Sequence, residues 1–346
     1  MKATVVVTCY NHAPYLPACL DSILAQQINF PCDIVVADDC STDHTVAILQ
    51  DYQIRYPGRI QLILREKNLG HQRHYLETHR TVSGDIIFEF DGDDVMLPGK
   101  LQQQYDIFLQ DPAVNLVFHR AEYFSDDGAY SACTGMPILN AQRRLTSFSN
   151  FLPRVARKEG AQRRAACDHV WETASDRTRR KVENHTTLTF NYQDLALWGT
   201  VAVHGSYAYR RSSRKLWEPG CEFMEWLFAM DSLMPQGKGV YLNQVLMRYR
   251  CNPAGHGSYL STQSGRAKAY GIVLGNVLDF FEKYPALRTQ LYANCLVTTL
   301  AMLRARCGYL PQMPGFLWRN KKYLRIKNCV AAAKMRLRVA PTRRIR

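Results

Sequence analysis

Between Thr4 and Phe124 the chain alternates between two patterns, and no other feature limits its fold as strongly. "TVVVTCY" (4–10), "DIVVADD" (33–39), "IQLILRE" (60–66), "DIIFEFD" (85–91) and "NLVFHRAEYF" (115–124) are apolar runs rich in β-branched and aromatic residues, as buried strands are. The segments between them, 15–27, 41–57, 72–82 and 98–110, carry helical patterning. Leu16, Leu20, Ile23 and Leu24 recur at helical spacing in the first, "STD" opens the second before Pro57 ends it, and Pro98 starts the fourth. Strand-helix alternation repeated four times predicts right-handed βαβ units, hence an α/β fold with a mostly parallel sheet flanked by helices on both faces. From residue 264 the pattern turns helical in "AKAYGIVLGNVLDFFEKY", "LYANCLVTTLAMLRAR" and "FLWRNKKYLRIKNCVAAAKMRLRV", which predicts a helical C-terminal extension.

In such a sheet ligands bind beyond the carboxyl ends of the strands. Polar residues collect there: "TCYN" (8–11) after the first strand, "DDCSTD" (38–43) after the second, "EKNLG" (66–70) after the third and "DGDD" (91–94) after the fourth. Taken alone, "DDCSTD" reads equally well as a helix cap. Four agreeing strand ends point to a site. Carboxylates this close repel one another, and burial disfavours their charge unless a cation compensates. Mg²⁺ or Mn²⁺ is the natural compensation, held by one or two carboxylates and by substrate phosphates. "DGDD" therefore suggests a site for a metal–diphosphate complex, and Gly92 would let the backbone turn and a ligand approach. No G-x-G-x-x-G follows the first strand and no G-x-x-x-x-G-K-[ST] occurs, which disfavours a dinucleotide fold or a P-loop.

Charge is unevenly spread. Residues 1–140 carry 9 Lys and Arg against 18 Asp and Glu, whereas residues 304–346 carry 13 basic residues and no acid. Such a tail attracts phosphates, of nucleic acid or of anionic lipid. Its last segment mixes Phe316, Trp318 and Tyr323 with Arg319, Lys321, Lys322 and Arg325, which predicts a basic amphipathic helix fitted to a membrane interface. Packing against the domain with the basic side in water is the plainer alternative. The 11 cysteines include no C-x-x-C pair, which argues against a zinc site or a disulfide framework and suits reduced thiols in a cytoplasmic protein. The N-terminus runs straight into a strand, so no signal peptide is expected, and no apolar run reaches the roughly 18 residues needed to span a bilayer.

These motifs together are similar to those of family 2 inverting glycosyltransferases with the nucleotide-diphospho-sugar transferase (GT-A, Rossmann-like) fold. The matching stretches are "VVVTCYNHAPYLPACLDSILAQ", "DIVVADDCSTDHT", "NLG", "GDIIFEFDGDDVMLPGKL" and "VYLNQVLMRYR", strong over 3–125 and weaker over 199–258. The resemblance implies a nucleotide-sugar-binding half at 1–125, a variable basic insertion at 126–198, an acceptor and catalytic half at 199–260 and a basic helical region at 261–346. It implies that Asp39 binds the nucleobase, typically uracil, that Asp91 lies near ribose or metal, and that Asp93 is the metal ligand of a D-x-D motif, with Asp94 supporting the loop. Thr8, Tyr10, Asn11 and Gly92 would line the nucleotide pocket. Arg73 is a further candidate for base or diphosphate, or simply a surface arginine. His256, in a glycine-flanked loop, is a candidate diphosphate or metal contact. "HGSYAYRRSS" (204–213) resembles the family's strand that precedes the acceptor region, and its His204 would face the acceptor or diphosphate, although a core role suits it better.

An inverting transfer also needs a carboxylate that takes the acceptor's proton. The family places it in an E-D pair, which "WEPGCEFMEWLFAMDSLMPQGKGVYL" (217–242) lacks. Glu225 is the best positional match, with Glu222 at i and i−3 on the same expected helix face and Asp231 less suited. Helix N-terminal charge is the alternative role for both glutamates. The implied activity is inverting hexosyl transfer from a nucleotide-diphospho-sugar, UDP-linked by analogy, to a glycan or lipid-linked acceptor of bacterial surface polysaccharide or lipopolysaccharide, peripheral on the inner face of the plasma membrane. A nucleotidyltransferase would open with a Gly-rich basic loop that "TCYNHAPYL" lacks. A nucleic-acid-binding protein would leave the acidic strand ends unexplained. The insertion at 142–186, with 11 basic and 5 acidic residues, reads as a loop over the acceptor site or as a surface excursion.

Overall fold

A computed structural model describes residues 1–126, 131–134, 136–139, 145–149, 187–199, 203–215, 225–234, 236–250, 263–304, 306–308 and 310–336. The chain divides into two compact units: Met1–Glu122, Ala202–Glu222 and Asp231–Arg250 form the first, and Tyr123–Val201, Phe223–Met230 and Cys251–Arg346 the second.

The first unit begins with β1 (Ala3–Cys9), α1 (Leu16–Leu24), β2 (Cys32–Asp38), α2 (Thr45–Arg55), β3 (Ile60–Leu64), α3 (His71–Thr81), β4 (Ile86–Asp91), a short β5 (Val95–Met96), α4 (Lys100–Gln110) and β6 (Val114–Phe124). The predicted strands and helices all form, with ends within a few residues. All seven residues of β1 are buried, because helices cover both faces of a parallel sheet and leave no wet side for polar residues. β1 pairs in parallel with β2 and β4, and β2 with β3. On α1, Leu16, Cys19, Leu20 and Ile23 are buried, and on α2, Thr45, Leu49 and Tyr52, the stripe that helical spacing dictates.

The fifth predicted strand does not lie beside the fourth. In β7–β12 order the remaining strands are β7 (Ser131–Thr134), β8 (Met136–Leu139), β9 (Leu145–Ser149), β10 (Thr187–Phe190), β11 (Ala208–Arg210) and β12 (Lys238–Arg250). The three residues of β11 slot antiparallel between β4 and β6, with Ala208 opposite both Phe88 and Val117. The sheet of the first unit thus runs β12-β6-β11-β4-β1-β2-β3, and β5 pairs with β12. The stretch 204–213, matched to a strand, is strand only at its centre and has a 3-10 turn on each side.

One feature of this core carries an energetic penalty. Lys100, the first residue of α4, is wholly buried, with its ammonium 5.6 and 5.7 Å from the ring centroids of Phe88 and Phe90. It donates to Gln104 Oε1 at 3.0 Å, and burial lowers its pKa to about 7. Its unfolded pKa is about 10.4, so between these values the unfolded chain holds a proton that the folded one sheds. The stability this group allows is therefore complete above the unfolded pKa and is lost as pH falls towards 7. Lys100→Met is expected to raise stability at pH 7 by about 2 kcal/mol, the relief of burial less the unsatisfied Gln104 oxygen. The gain should shrink towards pH 10. Urea denaturation at both pH values checks this, and a variant less stable than wild type at pH 7 would refute it.

The second unit contains the β8–β9 hairpin, α5 (Tyr192–Trp198), the first residues of α6 (Glu225–Leu233), α7 (Gln263–Lys283), α8 (Arg288–Arg304), α9 (Met313–Arg319) and α10 (Ile326–Arg336). Asn191 and Asp194 cap α5 reciprocally. Trp226 Nε1 donates to Leu195 O at 2.9 Å, and the Trp226 ring meets Phe280 edge-on at 5.3 Å. The tail is not one helix: the segment predicted as continuous from 316 breaks between α9 and α10 at a 3-10 turn, Lys321–Tyr323. Asn320 ends α9, donating its side-chain amide back to Phe316 O at 3.1 Å, while Tyr323 turns inward onto Phe281. Among the described residues no helix is long and apolar enough to cross a membrane.

Candidate functional site

Two loops leave the carboxyl edge of the first unit's sheet and are tied to each other. After β1, Asn11 adopts left-handed backbone (φ 55), which an Asn tolerates when its side chain bonds locally. Its Oδ1 accepts from Thr42 N at 2.8 Å, and its own N–H donates to Ser41 Oγ at 2.8 Å. Ser41 N in turn donates to Asp38 at 2.8 Å, His12 N to Thr45 Oγ1 at 2.9 Å and Ala13 N to Asp43 at 3.1 Å. The "CYNHA" and "DDCSTD" loops thus form one rigid wall. Tyr10 projects from it into solvent.

Asp39 is buried, and both its carboxylate oxygens accept backbone amides, from Leu69 at 2.8 Å and Gly70 at 3.0 Å. Asn68 Nδ2 returns a bond to Asp39 O at 2.9 Å. The "NLG" motif is therefore the partner of the second Asp of "DD", joining the ends of β2 and β3. His74 lies beside it, with Nδ1 3.5 Å from the carboxylate, and burial lowers its pKa.

The "DGDD" loop follows β4. Thr8 and Asp91 face each other in the parallel register, and Thr8 Oγ1 donates to Asp91 Oδ1 at 3.1 Å. Gly92 N donates to Thr8 O at 2.9 Å, which folds the loop over the end of β1. A Cβ on Gly92 would come within 2.9 Å of both Cys9 Cβ and His12 Nδ1, so any side chain there would force its neighbours to shift. Asp93 is partly exposed; burial and then the neighbouring Asp91 charge raise its pKa, while His12 opposes the rise. Asp94 is buried, and burial, with the Asp93 and Asp91 charges, pushes its pKa well up.

Asp94 has a structural partner far along the chain. Its Oδ1 accepts Arg250 N at 2.8 Å, and Arg250 Nε donates to Asp93 O at 2.6 Å. The Arg250 guanidinium also lies 4.6 Å over the Tyr15 ring. The end of β12 thus clamps the acidic loop from one side and the start of α1 from the other. Behind the loop, Glu89, two residues before Asp91 on β4, is buried against Arg214, Tyr75 and His204. Burial alone would raise Glu89, but the Arg214 guanidinium overrides it and holds the carboxyl at about 2. Arg214 also lies 3.4 Å over the Tyr209 ring, whose hydroxyl meets His79 Nδ1 at 2.7 Å.

The structure therefore brings together Thr8, Tyr10, Asn11, Asp39, Asp91, Gly92 and Asp93 on one edge of the first unit. Arg73 lies apart on the outer face of α3, bonded to Glu77 at 2.7 Å, and His204 packs against Glu89. Glu225 is the first residue of α6, in the second unit and partly exposed. Asp231, in the first unit, accepts Lys215 N at 2.5 Å. Glu222, His256 and most of the 142–186 insertion lie outside the described residues. Sequence reading missed Arg250 and His12. His12 sits in the quoted strand-end loop and could have been found there; nothing local marks Arg250.

A divalent cation fits this loop. Asp91 and Asp93 supply two carboxylates that repel one another, and the buried Nδ1 of His12 beside Gly92 has no hydrogen-bond partner. Among the described residues no three His, Cys, Asp or Glu side chains converge as a complete cage. Mg²⁺ and Mn²⁺ are commonly bound through one or two carboxylates, with substrate phosphates completing the shell.

An uncharacterized protein of Mycobacterium tuberculosis is 32% identical over 127 residues, 36% of this chain and 37% of that protein. An uncharacterized glycosyltransferase of Nostoc is 31% identical over 119 residues, 34% of this chain and 36% of the relative. The matched region thus spans little more than a third of these relatives. Among solved structures, residues 1–349 of Staphylococcus aureus TarS in complex with UDP-GlcNAc superpose with a TM-score of 0.51 at 14% identity, covering 100% of this chain and 95% of that one. The mannosyltransferase PcManGT of Pyrobaculum calidifontis, in complex with GDP-Man and Mn²⁺, gives 0.52 at 16% identity, covering 97% and 84%. Both share the fold. The description of glycosyl transferase family 2 matches residues 4–214, which hold the β1–β4 strand ends, the "DGDD" loop and Arg214, and the chain belongs to that family.

Proposed function

We propose that this protein is an inverting glycosyltransferase that moves a hexosyl group from a nucleotide-diphospho-sugar, most simply a UDP-sugar, to a hydroxyl of a glycan or lipid-linked acceptor in bacterial surface polysaccharide or lipopolysaccharide synthesis. The observation that carries the reading is the pairing of Asp91 and Asp93 at the carboxyl edge of a parallel sheet, beside an unpartnered His12 nitrogen. The UDP-GlcNAc of TarS and the GDP-Man with Mn²⁺ of PcManGT support the donor class and the cation.

In this reading Asp91 and Asp93 hold Mg²⁺ or Mn²⁺, which when bound neutralises the charge of the leaving diphosphate. Thr8 fixes the rotamer of Asp91, and Asp94 with Arg250 fixes the loop, so the carboxylates need little reorganisation as charge develops. The Asn11–Thr42 wall bounds the nucleotide pocket. Tyr10 offers the base a ring face, and Asp39 has carboxylate lone pairs left to accept a base N–H. Glu225 takes the acceptor proton, with Glu222 the alternative on the same segment.

The test is a panel of nucleotide-sugars assayed for nucleoside diphosphate release and for binding, with Mn²⁺, with Mg²⁺ and after chelation. Turnover or binding of one nucleotide-diphospho-sugar that needs the cation is expected; failure of every donor to bind with either metal would overturn the reading. Glu225→Gln is expected to lower turnover at least roughly 10²-fold with little change in donor affinity, the usual size of a general-base contribution. If Glu222→Gln shows that loss and Glu225→Gln does not, the base is Glu222.

A further inference from the structure

The basic tail packs in a way that its charge pattern does not anticipate. Met313 and Phe316 of α9 are buried, with Phe316 edge-on to Phe281 at 4.9 Å. Tyr323 packs on Phe281 at 5.5 Å, and Ala332 of α10 sits in a core with Ala293 and Val297 of α8. These contacts use up one side of the segment. If the tail were only a solvated basic surface, the remaining side would be polar. It is not: Trp318 is 71% exposed and Ile326 78%, and Leu324 and Val330 are exposed as well. Arg319, Lys321, Lys322, Arg325 and Lys327 are exposed among them, with the Lys321 ammonium 3.9 Å over the Trp318 ring. The sequence has no Asp or Glu from residue 304 onward.

We infer that α9, the 321–323 turn and α10 form a docking surface for an anionic lipid bilayer, with Trp318, Leu324 and Ile326 entering the headgroup boundary and the surrounding cations meeting lipid phosphates. Two features select a bilayer. Exposed aromatic and branched aliphatic side chains gain from the interfacial region. Nucleic acid offers Leu324, Ile326 and Val330 no comparable apolar phase, because its gain with aromatic residues comes from stacking on exposed bases. The positive charge supplies attraction to an anionic leaflet. In a peripheral glycosyltransferase this surface would hold the enzyme where a lipid-linked acceptor lies. The inference extends the proposed function at that point only, since vesicle binding and donor turnover are measured separately.

The experiment uses the full chain and vesicles of phosphatidylcholine alone or mixed equally with phosphatidylglycerol. Cosedimentation with the anionic vesicles and little with the neutral ones is expected. Replacing Lys321, Lys322 and Arg325 with Gln should weaken partitioning about 10²-fold. Trp318→Ser with Ile326→Ser should weaken it at least about 10-fold and leave a residue of binding that salt removes. Both substituted groups are exposed, so an unchanged melting temperature confirms that folding is not the cause. Partitioning unaffected by either set, or lost only when residues 337–346 are removed, would overturn the surface. So would binding to single-stranded RNA or duplex DNA that is tighter than to vesicles and is lost in the same variants. A protein that binds vesicles as described but no nucleotide-sugar would refute the proposed function and leave this surface standing.

Discussion

Asp93→Asn is expected to reduce glycosyl transfer by at least about 10³-fold, the upper range for removing a group that stabilises developing charge, and to abolish cation-dependent donor binding. The substitution is clean because the loop is not held by the side chain it removes. Arg250 grips residue 93 through its main-chain carbonyl, at 2.6 Å, and grips Asp94 through the backbone amide of Arg250, at 2.8 Å. Neutralising Asp93 also relieves repulsion from Asp91 and Asp94, so the melting temperature should stay level or rise. Activity assays across Mn²⁺ concentrations with parallel thermal melts check both halves. Full activity of the variant at limiting cation would remove Asp93 from the metal site. A fall in stability would show that its carboxylate has a structural partner instead.

The largest effect on stability is expected at Arg214. Its guanidinium pairs with Glu89 in the interior, and also bonds Tyr75 and stacks on Tyr209. Arg214→Met leaves Glu89 as an uncompensated buried charge and should cost about 3–5 kcal/mol. Because the desolvation of two charges is itself unfavourable, Glu89→Met combined with Arg214→Met should recover much of that loss, a strongly non-additive pair. Chemical denaturation of the two singles and the double checks it. Additive losses would mean that the pair stabilises by packing rather than by mutual compensation. Glu89 lies two residues before Asp91 on β4, so the network also sets the strand that leads into the acidic loop.

Much of this was legible in the residues. β1, β2 and β4 are covered on both faces, and their near-continuous apolar runs announce that. The acidic loop was legible for a related reason: charge clustered at the end of a buried run has no cheap explanation within a core. "NLG" stood out as a motif, but only the fold shows what it does, which is to hand two backbone amides to Asp39. The short β11 showed only in the resemblance of 204–213 to a strand of the family, since three residues carry no period of their own. The tail's composition predicted one amphipathic helix, whereas the chain breaks at Asn320 and Tyr323 packs on Phe281 of a helix far upstream.

The sequence by itself determined the α/β alternation, the edge on which the polar strand ends collect, the acidic loop and the family resemblance, because each rests on periodicity or on residues adjacent in the chain. Tertiary structure alone decided that β11 separates β4 from β6, that Arg250 clamps a loop 156 residues before it, that Glu89 pairs with an arginine 125 residues after it, and which side of the tail stays in water. Local pattern specifies which faces of an element are apolar and where charge accumulates. It does not specify which of several distant cations or apolar faces will meet them, because that choice is made by chain connectivity and by the close packing of the whole interior.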